Sequence, residues 1–241
     1  MKIDSDTLDY LRCMIYPNRC IFCNEIMQPG KSICDRCFEK LPWIRGETCP
    51  ECGSLKEDCQ CEKRHGSYYE SSASVFYYRD EVRNCLHRFK FQGDKYAYRE
   101  LGRLMAECLK ERFSGIDFDY VAYVPMDKKS RKRRGYNQSE LLARRIADET
   151  GIPFGKNLIE KIHITGVQHE CNMFERKGNL LGAFDVNPAF SVEGKTLLLV
   201  DDIRTSGATL SECGKMLYLY GADKVFCLTA AAVNSTINKN E

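Results

Sequence analysis

At 241 residues, with 43% hydrophobic and 29% charged side chains, the chain can bury one α/β core plus a small accessory module and is too apolar to be disordered. Its formal charge of +2 is unevenly spread: residues 1–65 hold ten Lys/Arg against eleven Asp/Glu, so this acidic segment suits nucleic-acid phosphates poorly. No apolar run approaches the ~18 residues of a membrane helix, and Met1–Asp6 lacks the charged-then-apolar order of a secretory signal, so a cytoplasmic protein without a membrane span is expected.

Residues 5–16 place Leu8, Leu11 and Ile15 on one side of a helix, with Asp4 or Ser5 as cap and Pro17 as stop. Eight of the 14 cysteines then fall in four pairs, Cys20 with Cys23, Cys34 with Cys37, Cys49 with Cys52 and Cys59 with Cys61. A C-x-x-C pair bends the backbone into a knuckle that aims both sulfurs at one ion, and two knuckles complete a tetrahedral site. One or two structural Zn²⁺ are therefore expected in a zinc-ribbon-like module over residues 1–65. Sequential pairing gives Cys20, Cys23, Cys34 and Cys37 to one ion and Cys49, Cys52, Cys59 and Cys61 to the other; spacing also allows interleaved pairing, and the last pair is the shorter C-x-C. A redox role is disfavoured because no pair follows a strand in a βαβ context.

Past His65-Gly66 the pairs stop, and residues 66–241 form a second predicted unit. Its predicted elements are a strand at Ser74–Tyr78, a helix at Glu81–Phe91, a helix whose core stripe is Leu101, Leu104, Met105, Cys108 and Leu109, and a strand at Asp119–Val124 ended by Pro125. Six of the seven residues Lys128–Arg134 are basic, which reads as a loop: either solvated or nucleic-acid-binding, or neutralising a pyrophosphate at the carboxyl end of the preceding strand. A helix over Asn137–Thr150 stops at Gly151. The aliphatic run Leu197–Val200 has the continuity of a buried parallel strand within Lys195–Val200. It leads into Asp201-Asp202, the loop Thr205-Ser206-Gly207-Ala208-Thr209, a helical pattern (Leu210, Met216, Leu217, Leu219) and a last strand at Lys224–Ala231. Such alternation predicts a mostly parallel sheet covered by helices. Loop N–H groups and a helix start at the strand's carboxyl end suit an anion; the carboxylates suit sugar hydroxyls or a cation. Gly194-Lys195-Thr196 resembles the tail of a P-loop, but it precedes a strand and Ala189 stands where the first glycine belongs.

The stretch Leu197–Thr209 resembles, without a gap, the phosphoribosyl-pyrophosphate (PRPP) motif of type I phosphoribosyltransferases, which implies their Rossmann-like α/β fold. Val124-Pro125-Met126, Arg131 and Arg134-Gly135-Tyr136-Asn137-Gln138 are similar to the signature of the ComF family, as are Lys90, Gln168, Arg176, Asn179 and Ala183-Phe184. That family comprises phosphoribosyltransferase-like proteins linked to bacterial competence, with an N-terminal zinc module. The resemblance implies that Asp201 and Asp202 hold the ribose 2′- and 3′-hydroxyls of PRPP or a related phosphoribosyl ligand. It also implies that Thr205, Ser206, Gly207, Ala208 and Thr209 cradle the 5′-phosphate, that Val124, Pro125, Met126 and Lys90 lie at the ligand, and that Mg²⁺ bridges its oxygens. Arg131, Arg133 and Arg134 would close over the pyrophosphate as a mobile loop. The implied reaction is displacement of pyrophosphate from C1 by an unidentified nitrogen acceptor. The alternative is an accessory protein of natural transformation that binds PRPP and single-stranded DNA without transfer, with other competence proteins as partners. One departure is Ile159–Ile164, where the family usually has an arginine-rich stretch.

Overall fold

Leu197–Val200 runs through β5 (Thr196–Arg204), and its side chains alternate between two cores, as a strand covered on both faces requires. The computed structural model describes residues 17–28, 30–61, 66–162 and 183–234. Within it β1 (Ser71–Tyr77), β6 (Lys224–Ala232), β5 and β2 (Tyr120–Tyr123) form a parallel sheet in that order. The expected neighbours pair from Tyr120↔Leu197 to Tyr123↔Val200.

On one face Leu198 and Val200 meet helices α2 (Asp80–Phe91), α3 (Ala97–Arg112) and α5 (Gln138–Thr150) through Leu86, Phe89, Leu101, Met105, Leu142 and Ile146. On the other, Leu197 and Leu199 meet Leu210, Cys213 and Leu217 of α6 (Ala208–Leu219). A short antiparallel hairpin, β3 (Ile159–Lys161) with β4 (Phe184–Val186), joins that second core and was not legible in the sequence. Helix α6 lies so close to the chain entering β1 that a Cβ on Gly214 would stand 1.8 Å from the Tyr68 carbonyl oxygen. Gly214→Ala is therefore expected to cost about 3 kcal/mol, read as a lower urea midpoint; an unchanged midpoint would show that the helix can move away freely.

Three sequence expectations are corrected. The basic run Lys128–Arg134 is a helix, α4, because Asp127 accepts from Ser130 N–H at its start and Gly135 takes the left-handed conformation (φ 80°) at its end. Strand β5 continues past Val200 through both aspartates to Arg204, held by pairs such as Asp201↔Thr229. Strand β1 begins at Ser71, three residues before the expected start. The expected helix in residues 5–16, and Gln168, Arg176 and Asn179, lie outside the described residues.

The cysteine-rich segment, with α1 (Asp35–Lys40), lies along the edge of β1 that β6 leaves free. Ile44 N–H donates to Val75 O (3.0 Å), Tyr77 N–H to Pro42 O (2.8 Å) and Ser72 N–H to Pro50 O (2.7 Å). These bonds satisfy an edge that would otherwise offer itself to another strand. Phe22 stacks edge-on against Phe76, and both are fully buried, so the segment shares its core with α2 and α3. Among the described residues no helix is long and apolar enough to cross a membrane.

Candidate functional site

Sequential pairing of the cysteines is what the structure shows. The sulfurs of Cys20, Cys23, Cys34 and Cys37 lie within 4.8 Å of one another, as do those of Cys49, Cys52, Cys59 and Cys61. A tetrahedron with Zn–S bonds of ~2.3 Å has edges of about 3.8 Å; Cys23–Cys34 and Cys52–Cys59 are each 3.7 Å apart. Backbone N–H groups of Cys37 and Cys61 donate to Cys34 Sγ and Cys59 Sγ, both at 3.4 Å. At Cys20 burial pushes the thiol up, yet N–H groups of Cys34, Cys23 and Phe22 outweigh it and bring it down to about 7. With all four positions of each site taken by sulfur, the zinc is structural.

The acidic pair sits where β5 nears its carboxyl end. Asp201 Oδ1 accepts from the Ser139 hydroxyl (2.7 Å) at the start of α5 and from Asp202 N–H (2.9 Å). Asp202 is buried, with Lys90 Nζ of α2 at 3.5 Å. Burial first, and the Asp202 charge second, push Asp201 up to about 7, against the pull of Ser139, the Asp202 N–H and Lys90. Two steps on, Arg204 ends the strand, and Thr205 and Ser206 are exposed. Gly207 turns into the left-handed region (φ 81°) and starts α6 without a side-chain cap. The opening N–H groups of this helix thus lie beside exposed hydroxyls, an arrangement that accepts an anion.

Val124, Pro125 and Met126 lead from β2 towards α4, and Val124 is tied to β5 by its N–H to Val200 O (3.0 Å). Asn137 Nδ2 donates to Val124 O (3.0 Å), which fixes the entry of α5, and hence Ser139, beside Asp201. The three arginines of α4 differ. Arg131 pairs with Glu140 (3.0 Å), Arg134 reaches Gln138 (3.4 Å) and lies 5.0 Å over the Phe91 ring, and Arg133 is exposed. The structure therefore brings Asp201, Asp202 and Lys90 together. It commits Arg131 and Arg134 to ordered partners on a helix. Ser139, Glu140 and Arg204 were missed; Ser139 and Glu140 stand at the N-terminal turn that follows the capping Asn137, which is the signal that could have found them.

Residues 11–65 match the family model described as a double zinc ribbon domain. The DNA utilization protein YhgH of Salmonella typhimurium is 28% identical over 206 residues, covering 82% of this chain and 88% of its own. Competence protein ComFC of Bacillus subtilis is 28% identical over 208 residues, 80% of either chain. Competence protein F of Haemophilus influenzae is 27% identical over 217 residues, 86% of this chain and 93% of its own. The chain is a relative of the ComF-type competence and DNA utilization proteins. Among solved structures, a B. subtilis glutamine PRPP amidotransferase complexed with ADP and GMP aligns with TM-score 0.39 and 23% identity over 55% of this chain, which spans 26% of that one. An adenine phosphoribosyltransferase aligns with TM-score 0.35 and 16% identity, covering 56% of this chain and 78% of its own.

Proposed function

We propose that this ComF-type relative binds PRPP at the carboxyl end of β5 and serves DNA uptake and use, with phosphoribosyl transfer to a nitrogen acceptor as its chemistry. The observation that carries the reading is the sequence of groups on one strand end: a carboxylate held by Ser139, a carboxylate held by Lys90, then the start of α6, where Ala208 N–H meets the Ser206 hydroxyl. Asp201 and Asp202 hold the ribose hydroxyls; Thr205, Ser206 and Thr209, with the N–H groups up to Thr209, hold the 5′-phosphate. Mg²⁺, bound through oxygens of the ligand, would offset the charge of the pyrophosphate. Lys90, now 3.5 Å from Asp202, supplies further positive charge, and Arg131 and Arg133 stand on α4 beyond the neighbouring strand. As the C1–O bond breaks, its electron pair leaves with pyrophosphate and the nitrogen forms the new bond to C1. With its value raised to about 7, Asp201 can take the proton the nitrogen releases.

A second reading keeps the ligand and drops the transfer. Phe91 and Tyr96 are large exposed aromatics, 55% and 62% accessible, and cations stand over both: Arg134 over Phe91 at 5.0 Å, Lys95 and Arg99 over Tyr96 at 5.7 and 5.6 Å. Exposed rings flanked by cations are what unpaired bases stack on. Single-stranded DNA affinity that falls steeply with salt, and is lost when Arg131, Arg133 and Arg134 are neutralised, would support it.

Calorimetry with Mg²⁺ and PRPP tests the shared part. Asp201→Asn/Asp202→Asn is expected to weaken binding about a hundredfold, two charge-assisted hydrogen-bonding groups being lost. Unchanged affinity would remove the site from this strand end. A screen of bases and amines for pyrophosphate release then separates the readings: release supports transfer, and binding without release supports the accessory role.

A further inference from the structure

Arg204 is the last residue of β5 and stands between the phosphate loop and the second cysteine cluster. Its side chain is buried, the residue being 3% exposed, and among the described residues no carboxylate lies within ion-pair distance. One guanidinium nitrogen donates to the carbonyl of Glu51 at 3.3 Å. Glu51 is inside the Cys49–Cys52 knuckle, and Tyr69 Oη donates to the same carbonyl at 2.9 Å. The same edge of the guanidinium presses on the loop: a Cβ on Gly207 would meet Arg204 Nη2 and Nε at 3.0 and 3.1 Å and Tyr69 Oη at 3.2 Å. Arg204 Nε, also buried, has no hydrogen-bond partner. Beside it a cavity of about 270 Å³ is lined by Cys52, Asp58 and Cys61 together with Thr205 and Ser206.

We propose that Arg204 is a positioning residue that couples the second zinc cluster to the phosphate loop, so that zinc in the one and an anion in the other stabilise each other. The proposal rests on the reading of Thr205–Thr209 as the phosphate cradle. A buried cation with no carboxylate in contact is costly unless something compensates it. Two anionic groups would compensate it, one in the second cysteine cluster and one in the loop. A four-thiolate zinc site carries a net charge of −2, and a phosphate in the loop adds a second anion beyond Gly207. The coupling is also mechanical. Zinc sets the shape of the Cys49–Cys52 knuckle, the knuckle places the Glu51 carbonyl, and that carbonyl, with Tyr69, fixes the guanidinium on which Gly207 rests. Loss of zinc frees the carbonyl, and the loop loses its support.

The test is a cycle on the full chain, read by calorimetry with Mg²⁺ and PRPP. Cys59→Ser/Cys61→Ser, with zinc content falling by one ion, and Arg204→Met are each expected to weaken binding about tenfold. The combined variant should be no weaker than either alone, because both break one linkage. Arg204→Lys keeps the charge without the fork and should fall between. By reciprocity, PRPP should raise the zinc affinity about tenfold in wild type and not in Arg204→Met, read as the equilibrium share of zinc taken by a competing chromogenic chelator. Fully additive losses, unchanged affinity in the single variants, or a zinc affinity that ignores PRPP would each overturn the proposal. If wild type takes up no PRPP the loop reading itself fails; if it does and the zinc variant binds equally well, only the coupling fails.

Discussion

Removing zinc from the first cysteine cluster is expected to cost the chain its native body as well as the ribbon that holds the metal. Cys20 and Cys37 are buried, and Phe22, two residues past Cys20, fills the core between Phe76 and α2. Arg88 of α2 donates to the Ile21 and Phe22 carbonyls, so the knuckle and the helix hold each other. Structural zinc binding contributes on the order of 10 kcal/mol in small ribbons, comparable to the whole stability of a typical domain, ~5–15 kcal/mol. Cys37→Ser should therefore bind one zinc fewer and unfold well below the wild-type melting temperature, with the sheet signal lost in the same transition. Cys59→Ser should be milder, since Cys59 lies outside the large core clusters. A Cys37→Ser protein that loses zinc yet melts like wild type would sink this expectation.

Asp201→Asn is expected to stabilise the unliganded protein above neutral pH. The carboxyl sits at about 7 in the fold against an ordinary value of 3.8, because burial and the neighbouring Asp202 oppose its charge. A raised folded value means that the folded chain holds the proton more tightly than the unfolded one. Stability from this group is thus complete below about pH 4 and is lost as pH rises to about 7. At ~1.4 kcal/mol per pH unit that window amounts to about 4 kcal/mol. Asparagine keeps the oxygen that accepts from Ser139 and never ionises. Urea midpoints measured from pH 4.5 to 8 should fall with pH in wild type and stay nearly flat in the variant. Parallel profiles would show that Asp201 does not carry the loss. The same substitution removes a proposed ligand of the ribose, which would make this carboxylate a stability cost retained for binding.

The parts of the fold legible in the sequence were those with strong periodicity. Leu197–Val200 is apolar at every position because both faces are covered, and the stripe Leu101, Leu104, Met105, Leu109 faces a single core. Helix α4 was hidden because Lys128–Arg134 has no apolar face; its signals were the flanking Asp127 and Gly135, which act through backbone bonds and handedness. The three-residue hairpin strands are too short to show a period. At the site, Asp201 and Asp202 stood out as an acidic pair next to a glycine-bearing loop. Ser139 and Arg204 did not, since their roles depend on contacts across 62 and 153 residues of chain.

The order of the sheet bears on how the chain can be made. Strand β1 at residues 71–77 pairs in the parallel sheet with β6, the last described element, with Ser71 opposite Phe226. During synthesis β5 can pair with β2 as soon as it is made, but β1 cannot join them until residues 224–232 fill the place between β1 and β5. Until then the cysteine-rich segment, which precedes β1 in the chain, can cover one edge of β1, and the edge that β6 will take stays open to pairing with another chain.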